Sequence, residues 1–355
     1  MIKRFLTALF LLPFCTFAQA PKYSNEFLQI GVGARAFGMG GSVAASVSDV
    51  NAAYWNPAGL VNMQSDHQLS LMHSEYFAGI AKYDYAAFAT FVADKTAVVS
   101  ASFIRFGVDD IPDTNELIDA DGNINYDRLK SFSAADYAFL FSYAKSSKKI
   151  INLSYGANVK IVHRTVGDFG KSYGFGIDVG AQYKLKNFTF AAVGRDITTT
   201  FNAWSYNADK FSSIYQATGN AIPQNSNEIT LPRFILGAAY YSKIGQNFGL
   251  TTETNFNLTT DGKRNVLITA NPVSLDPTLG LEADFKQIVF LRAGVNNIQK
   301  TTDFNGKKSL EFQPNLGLGI KIKSFSLDYA LTNIGGQSAA VYSNIFSLRL
   351  DFNKK

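Results

Sequence analysis

A period-two alternation of apolar and polar residues runs from His67 towards the end of this chain, and it constrains the fold more than any other feature. It is clearest between Tyr173 and Lys184, where alternate positions are aromatic or aliphatic and the others are small or charged. That spacing is the period of a β-strand whose two faces meet different surroundings. Tyr173 and Tyr183 bracket the apolar face. At roughly 3.3 Å per residue and a tilt of about 40°, the ten-residue span projects to about 25 Å, the height of a membrane barrel's apolar band.

Segments with this alternation recur along the rest of the chain. Fourteen can be identified, an even number as bacterial barrels have, so we predict an all-β, 14-stranded antiparallel transmembrane β-barrel. Because Pro314 cannot donate to a strand ladder, we expect the twelfth segment to begin at Asn315. The segments are 67–75, 83–93, 97–106, 133–144, 150–163, 173–184, 188–195, 233–242, 248–258, 278–285, 288–296, 312–322, 325–332 and 342–352.

The predicted connections alternate in length, which supports a barrel independently of the strand pattern. Membrane barrels have short turns at the periplasmic end and longer loops at the outer end. The short connections are 94–96, 145–149, 185–187, 243–247, 286–287 and 323–324. The long ones, 107–132, 196–232, 259–277 and 297–311, fall in the other parity.

A soluble β-sandwich would also show period-two strands, and composition separates it from a barrel. The chain has 17 Tyr and 30 Phe but only two Trp, and 17% of its residues are charged. A sandwich would place its aromatic residues in a closed core and has no need for tyrosines at both ends of an apolar face. The composition therefore favours an aromatic band that faces lipid.

The N-terminus predicts export. Residues 1–20 combine Lys3 and Arg4 with an apolar run and end in Ala18-Gln19-Ala20, the pattern of a cleaved signal peptide. Cleavage removes Cys15, the single cysteine, so disulfides and thiolate chemistry are excluded. The domains expected are the signal peptide at 1–20, an N-terminal segment at 21–66 and the barrel at 67–355.

The charge balance gives no support for binding nucleic acid. Of 33 basic residues, two are in the signal peptide, which leaves 31 against 28 acidic residues. A surplus of this size is not a basic patch of the kind that binds DNA or RNA.

No catalytic, cofactor or metal site is indicated, and the chain is predicted not to be an enzyme. A dinucleotide-binding fingerprint must follow a strand, and no strand precedes the glycines of 31–36. Residues 119–123 fit a turn better than a calcium loop, since the closing glutamate is missing. His67 and His73 have no evident carboxylate partner and are better explained as polar residues at an interface than as zinc ligands.

Several charged residues fall on the glycine-bearing faces of predicted strands, where they should point into the lumen. Two interpretations remain open: the residues line a substrate path, or they pair with one another in a packed interior. The residues are Asp178, Arg195, Glu282, Asp284 and Arg292.

The segment between the signal peptide and the first strand resembles a known signature. Its parts are the run Gly33–Gly41, then Asp49, then Trp55–Leu60, and together they are similar to the opening of the PorV/PorQ branch of the FadL-like outer-membrane barrels. The last part of this signature, Asn56–Leu60, is shared with FadL-like fatty-acid channels more widely. The signature residues are Gly33, Arg35, Gly38, Gly40, Gly41, Asp49, Asn56, Pro57 and Gly59.

The resemblance implies a fourteen-stranded barrel whose N-terminal segment lies in the lumen as a plug. Irregular backbone at membrane depth is tolerated only where it is surrounded by protein or faces water, which suits this segment.

By the same resemblance the chain would be a non-enzymatic outer-membrane component of the type IX secretion system. Its partners would be outer-membrane lipid, translocon and attachment-complex proteins, and secreted cargo with C-terminal sorting domains. The resemblance does not distinguish PorV, PorQ and further paralogues. Loops 107–132 and 196–232 would form the recognition surface, with Phe201, Trp204, Tyr206 and Phe211 as candidate contacts.

The alternative implied by the FadL resemblance is a passive transporter of hydrophobic molecules, with an apolar pocket beside the plug and a lateral opening in the wall. A third interpretation is a purely structural barrel. The last predicted strand fits all three, because it resembles the signal that the outer-membrane assembly machinery reads. Its apolar face carries Phe346, Leu348, Leu350 and Phe352, and three residues follow it.

Overall fold

Sixteen β-strands dominate the fold in a computed structural model, which describes residues 24–93, 95–118, 122–210, 215, 219, 221–302, 305–332 and 343–353. Fourteen of them form a closed antiparallel ring, since the first strand pairs with the last and His67 lies opposite Phe352. The predicted fold class is therefore confirmed. The strands are β1 (His67–Tyr76), β2 (Ala81–Val92), β3 (Ala97–Asp113), β4 (Lys130–Ser146), β5 (Leu153–Val166), β6 (Gly170–Leu185), β7 (Phe188–Arg195), β8 (Thr200–Tyr206), β9 (Ser226–Thr230), β10 (Arg233–Ile244), β11 (Phe248–Thr259), β12 (Ser274–Phe285), β13 (Val289–Thr302), β14 (Lys308–Ile322), β15 (Phe325–Thr332) and β16 (Ser343–Phe352).

Two strands, β8 and β9, lie outside the ring, in a stretch that the sequence predicts as an open loop, 196–232. β8 pairs with residues 170–175 of β6, and β9 pairs with β8. β7 is only eight residues long and pairs with β6 from Val179 onward. The edge of β6 beyond it would otherwise be unpaired, and β8 satisfies its hydrogen bonds.

The two faces of the ring differ as a barrel in lipid requires. On β14, Leu316, Leu318 and Ile320 point outward and are each about half exposed, whereas Gly317 and Gly319 alternate with them on the inner face. Tyr173 and Tyr183 are likewise exposed on the outer face of β6. A soluble sandwich would bury such side chains, so the outer surface is of the apolar type that lipid covers.

Each predicted strand overlaps one ring strand, but several boundaries were wrong. β5 begins at Leu153 and not at 150, because Asn152 is in the left-handed region (φ 65°) and ends the preceding turn. β12 begins four residues earlier than predicted, and β3, β4 and β13 extend well into the predicted loops. Residue 342, predicted as the start of the last strand, lies outside the described residues.

The strand that contains Pro314 begins before it, at Lys308, and not at Asn315 as predicted. β14 runs through it, and Pro314 lies opposite Val295 of β13. On its other side, the described part of β15, which ends at Thr332, pairs with β14 from Leu316 onward, so none of the described residues there needs an N–H group from residue 314.

The connections keep the predicted alternation. One end of the barrel, the turn end, carries 93–96, 147–152, 186–187, 245–247, 286–288 and 323–324. The opposite, loop end carries 77–80, 114–129, 167–169, 196–232, 260–273 and 303–307. Residues 333–342, between β15 and β16, are outside the described residues. The predicted signal peptide at 1–20 is also outside the described residues. Among the residues described, no helix is long and apolar enough to cross a membrane.

Candidate functional site

Residues 24–66, called the N-terminal segment from here on, lie inside the ring. The segment contains two α-helices, α1 (Ala34–Gly38) and α2 (Ala52–Trp55), and two 3-10 helices, Glu26–Gln29 and Pro57–Asn62. α1 contacts strands β13–β16, and the second 3-10 helix contacts β3–β6 on the opposite wall. The segment thus bridges the lumen.

α1 and the turn after it approach the wall more closely than any side chain would permit. A Cβ atom on Gly38 would lie 2.9 Å from the Cα of Gly317, and one on Gly40 would lie 2.9 Å from the backbone nitrogen of Val295. Gly40 also has a φ of 61°, which favours glycine. On the wall, a Cβ on Gly294 would meet Gly40 itself. Glycines on both sides are therefore what lets backbone pack on backbone.

The Asn56-Pro57 step is held in the same way on the opposite wall. A Cβ on Gly156 would lie 2.7 Å from the carbonyl carbon of Pro57, and one on Gly180 would meet the Asn56 side chain. The Asn56 amide donates to the carbonyl of Ala44 at 2.9 Å, and its oxygen accepts from the N–H of Ala58 at 3.2 Å. Asn56 thereby starts the 3-10 helix and ties it to an earlier part of the segment.

Two signature residues make ion pairs with the wall. Arg35 donates from Nε and Nη2 to the two oxygens of Glu282, at 2.8 and 2.9 Å. Asp49 accepts from Nη1 of Arg349 at 2.6 Å. Glu282 also accepts from Arg292 at 2.6 Å, so its charge is shared by two guanidinium groups. These groups are largely shielded from water, where an unpaired charge would be costly.

Polar wall residues satisfy the irregular backbone of the segment. Glu253 is fully buried and accepts from the N–H groups of Ala45 and Ser46, at 2.7 and 2.9 Å. The amide of Gln182 lies within 3.2 Å of the carbonyl oxygens of Ala44, Ala45 and Val47. Non-helical backbone inside a barrel needs such partners.

The remaining signature glycines serve turns inside the segment. Gly33 and Gly41 have positive φ angles of 81° and 77°. The N–H of Gly33 donates to the sulfur of Met72 at 3.0 Å. A Cβ on Gly59 would meet the carbonyl oxygen of Val47. The structure therefore brings every signature residue into one packed region.

Two cavities remain between the segment and the wall, and both adjoin the 3-10 helix Glu26–Gln29. The first measures about 300 Å³ and lies towards the loop end, beside β9 and the start of β10. The second measures about 380 Å³ and extends towards β12–β14. Gln29, Arg195 and Arg233 line both, so these three side chains form part of the boundary between them.

Arg195 and Arg233 differ from the other lumenal cations. Arg195 is 5% exposed, donates to the carbonyl of Tyr54 at 3.0 Å and lies 4.4 Å over the Tyr54 ring. Arg233 donates to the side-chain oxygen of Gln29 at 2.8 Å. Neither makes an ion pair within the part of the chain that the structure describes. The alternation of residues along the strand correctly places Arg195 in the lumen. The same alternation could have placed Arg233 there, because Phe234 and Leu236 on its strand point outward, but the sequence analysis did not identify it.

The other lumenal charges form closed groups, as the packed-interior interpretation predicts. Lys160 pairs with Asp178 at 2.8 Å and also with Asp196, and Asp196 accepts from Thr200. Asp284 is buried near the turn end and accepts from the N–H of Gln287. In loop 260–273, burial raises the pKa of the Asp261 carboxyl, but the hydrogen bonds and charge of Arg264 outweigh this and lower it overall.

The predicted recognition aromatics are divided between two environments. Phe201 is 47% exposed on the outer face of β8, whereas Trp204 is 8% exposed and faces inward, with the guanidinium of Arg164 5.1 Å from its ring. Tyr206 stacks on Trp204 at 5.7 Å between ring centroids. Phe211 lies outside the described residues. The structure does not bring these residues together on one exposed surface.

The apolar face of β16 points outward along its length. Phe346 and Phe352 are 54% and 47% exposed, and Leu348 and Leu350 lie between them. Ser347, on the opposite face, accepts from the N–H of Ala34 at 3.0 Å. The last strand therefore closes the ring by pairing with β1, presents its apolar face outward and contacts the N-terminal segment with its inner face.

Comparisons with known proteins place the fold. No protein-family model matches the chain, and no curated protein sequence matches it. Among solved structures, the monoaromatic hydrocarbon channel CymD superimposes with a TM-score of 0.56 at 13% identity, over 92% of this chain and 98% of that chain. The toluene transporter TbuX of Ralstonia pickettii gives 0.53 at 13% identity, over 91% and 99%. A FadL homologue from Pseudomonas aeruginosa gives 0.51 at 13% identity, over 91% and 98%. The chain has the fold of these FadL-type barrels.

Proposed function

We propose that this chain is a non-enzymatic outer-membrane barrel of the FadL type through which a small molecule passes, with the N-terminal segment as a plug. One observation carries the proposal: a closed ring with an apolar outer face encloses a packed segment that leaves two cavities near the loop end. The outer face suits lipid, and a lumen that is filled but not sealed suits a gated passage.

The solved structures of the same fold support this reading by analogy. One is named as a hydrocarbon channel and others as toluene transporters, and passage through the lumen is carried over from them to this chain. A signal peptide at 1–20 would direct the chain to export, and the outward face of β16 would be read during assembly of the barrel.

A second candidate is the type IX secretion component, whether PorV, PorQ or a paralogue, that binds cargo with C-terminal sorting domains and translocon or attachment-complex proteins. The N-terminal signature suggests it. A specific structural observation favours it over a hydrocarbon transporter: most residues that line the two cavities have charged, amide or hydroxyl side chains, whereas a hydrocarbon site is expected to be formed mostly by apolar residues. In this candidate the loop end, including Phe201, meets the partner.

Deleting the gene separates the two candidates when uptake and secretion are measured in the same strain. We expect slower uptake of a panel of small organic molecules and normal secretion of proteins with C-terminal sorting domains. Re-expression of the wild-type gene, checked by its amount in the outer membrane, is the control. Lost secretion with unchanged uptake would replace the first candidate by the second, and unchanged uptake and secretion would reject both.

A further inference from the structure

Charge is distributed unequally between the two cavities. Within the described residues, four cationic side chains and five carboxylates line the first cavity. Three arginines and a single carboxylate, Asp276, line the second. The acids that balance Arg264 are Glu26 and Asp261, and both lie on the side of the first cavity. The second cavity is therefore the electropositive one.

Two of these three arginines have guanidinium N–H groups for which the described residues supply no acceptor. Arg195 donates from Nη2 to the carbonyl of Tyr54, and its Nε, which has no partner in the described part of the chain, is fully buried, so its Nη groups are the ones that can meet a ligand. Among the described residues, Arg233 donates to one partner, the neutral oxygen of Gln29. By contrast, Arg35, Arg292 and Arg349 each donate to carboxylates. A guanidinium group has five N–H donors, and burying them unsatisfied is unfavourable.

The other residues that line the second cavity indicate which chemical groups the uncharged part of the ligand should have. One wall carries amide and hydroxyl side chains of β11–β14, among them Asn257, Thr278 and Asn315. The facing wall comes from the N-terminal segment and contains the rings of Phe37 and Trp55. Amides and hydroxyls suit a ligand with several hydroxyl groups, and flat rings suit the C–H face of a sugar. A volume of about 380 Å³ is within the range of small-molecule sites.

We propose that the second cavity binds a small polar organic acid of the sugar-acid type, with its carboxylate on Arg195 and Arg233. Guanidinium groups bind carboxylates through paired, charge-assisted hydrogen bonds, and two of them converge here. The inference deepens the proposed function, since it rests on a lumen that receives a small molecule. It differs from the hydrocarbon cargo named for the solved relatives, because it requires a charged head and a hydrophilic body.

The test is calorimetric titration of the purified full-length barrel in detergent with gluconate, glucose and octanoate. We expect gluconate to bind at least about tenfold more tightly than glucose, which lacks the carboxylate, and than octanoate, which lacks the hydroxyl groups. Arg233→Gln should weaken gluconate binding by about tenfold or more, and Arg233→Lys should restore part of it. Lys171→Gln, which removes an exposed cation at the same end of the barrel, should change nothing.

Arg195→Gln provides a second variant, and heat-modifiable migration on gels verifies that each barrel has assembled. Equal binding of gluconate and glucose, no binding of gluconate, or an Arg233→Gln barrel that binds like the wild type would each overturn the inference. Release of the same solutes from proteoliposomes tests the proposed function separately. If gluconate binds but is not released, the proposed passage through the lumen is rejected and the binding site is retained. If solutes are released without preference for gluconate, only the proposed binding site is rejected.

Discussion

The two parts of the N-terminal segment are attached to the barrel by different kinds of contact. Residues 33–60 are held by backbone-to-backbone packing at glycines and by ion pairs such as Arg35 with Glu282. Residues 24–32 are held by the burial of Phe27, Leu28 and Val32 and by neutral side-chain hydrogen bonds at the loop end. Asn25 donates to Thr230 at 2.9 Å, and Asn202 donates to both Ser24 and Asn25 at 2.9 Å.

This difference suggests that the two parts have different roles: residues 33–60 keep the lumen closed, and residues 24–32 control the access of a ligand to it. Packed glycines and buried charges cannot be lost one at a time without leaving a clash or an unpaired group, so residues 33–60 should stay in place. Neutral hydrogen bonds such as those of Asn202 contribute less than a buried ion pair costs when it is broken, so residues 24–32 should open more readily than residues 33–60. The 3-10 helix Glu26–Gln29 adjoins both cavities, so the weaker part of the segment meets a ligand in either one, whereas Phe37 and Trp55 of the stronger part line only the second.

The largest effect is expected from Arg292→Leu, which attacks the strongly held part. Arg292 is 6% exposed and donates to Glu282 at 2.6 Å and to Asp328 at 2.7 Å. Removing it leaves carboxylates buried with fewer partners, and we expect the free energy of unfolding to fall by about 3–5 kcal/mol. Urea unfolding of the barrel in lipid vesicles measures this. Arg128→Leu, at an exposed position, is the control and should have little effect.

A loss below 1 kcal/mol, on the order of an exposed ion pair, would show that the charges inside the barrel are solvated. The strongly held part of the segment would then owe its position to packing alone.

The sequence predicts the ring well because lipid outside and protein inside impose a period of two on every strand. β8 also alternates between exposed and buried positions, but its buried face carries Asn202 beside Trp204, so it lacks the apolar-to-polar alternation that identifies a ring strand in the sequence. The prediction for Pro314 was wrong because a strand tolerates proline where only one neighbouring strand pairs with it. Whether a neighbour pairs at that position depends on the neighbouring strands and cannot be seen in the sequence of β14 itself.

The site could be predicted only in part, for a similar reason. The glycine-rich opening identifies residues that pack closely, but not that Gly38 meets Gly317. Arg35 and Glu282 are 247 positions apart, and Arg233 and Gln29 are 204 apart. A single sequence carries no sign of such pairings. Which lumenal charges pair and which line a cavity is therefore decided by the closed ring alone.

Gly38→Val is expected to have an intermediate effect, and it tests backbone packing without touching a charge. The added side chain would collide with Gly317 on β14, where backbone atoms cannot rotate away. We expect the free energy of unfolding to fall by about 1–3 kcal/mol and residues 33–60 to become more accessible to protease. Gly245→Asn, in an open turn with a φ of 63°, is the matched control. Unchanged protease resistance would mean that α1 shifts without loosening.

The smallest effect is expected from Asn202→Ala, which attacks the weakly held part. The change removes the hydrogen bonds from Asn202 to Ser24 and Asn25, each worth about 1 kcal/mol. Amide hydrogen exchange should increase at residues 24–29 but stay the same at 33–60, with little change in global unfolding. Asn207→Ala, just after β8 and exposed, should leave both regions unchanged. Faster exchange throughout 33–60 would show that the two parts open as one unit, and would remove the distinction between closure and access.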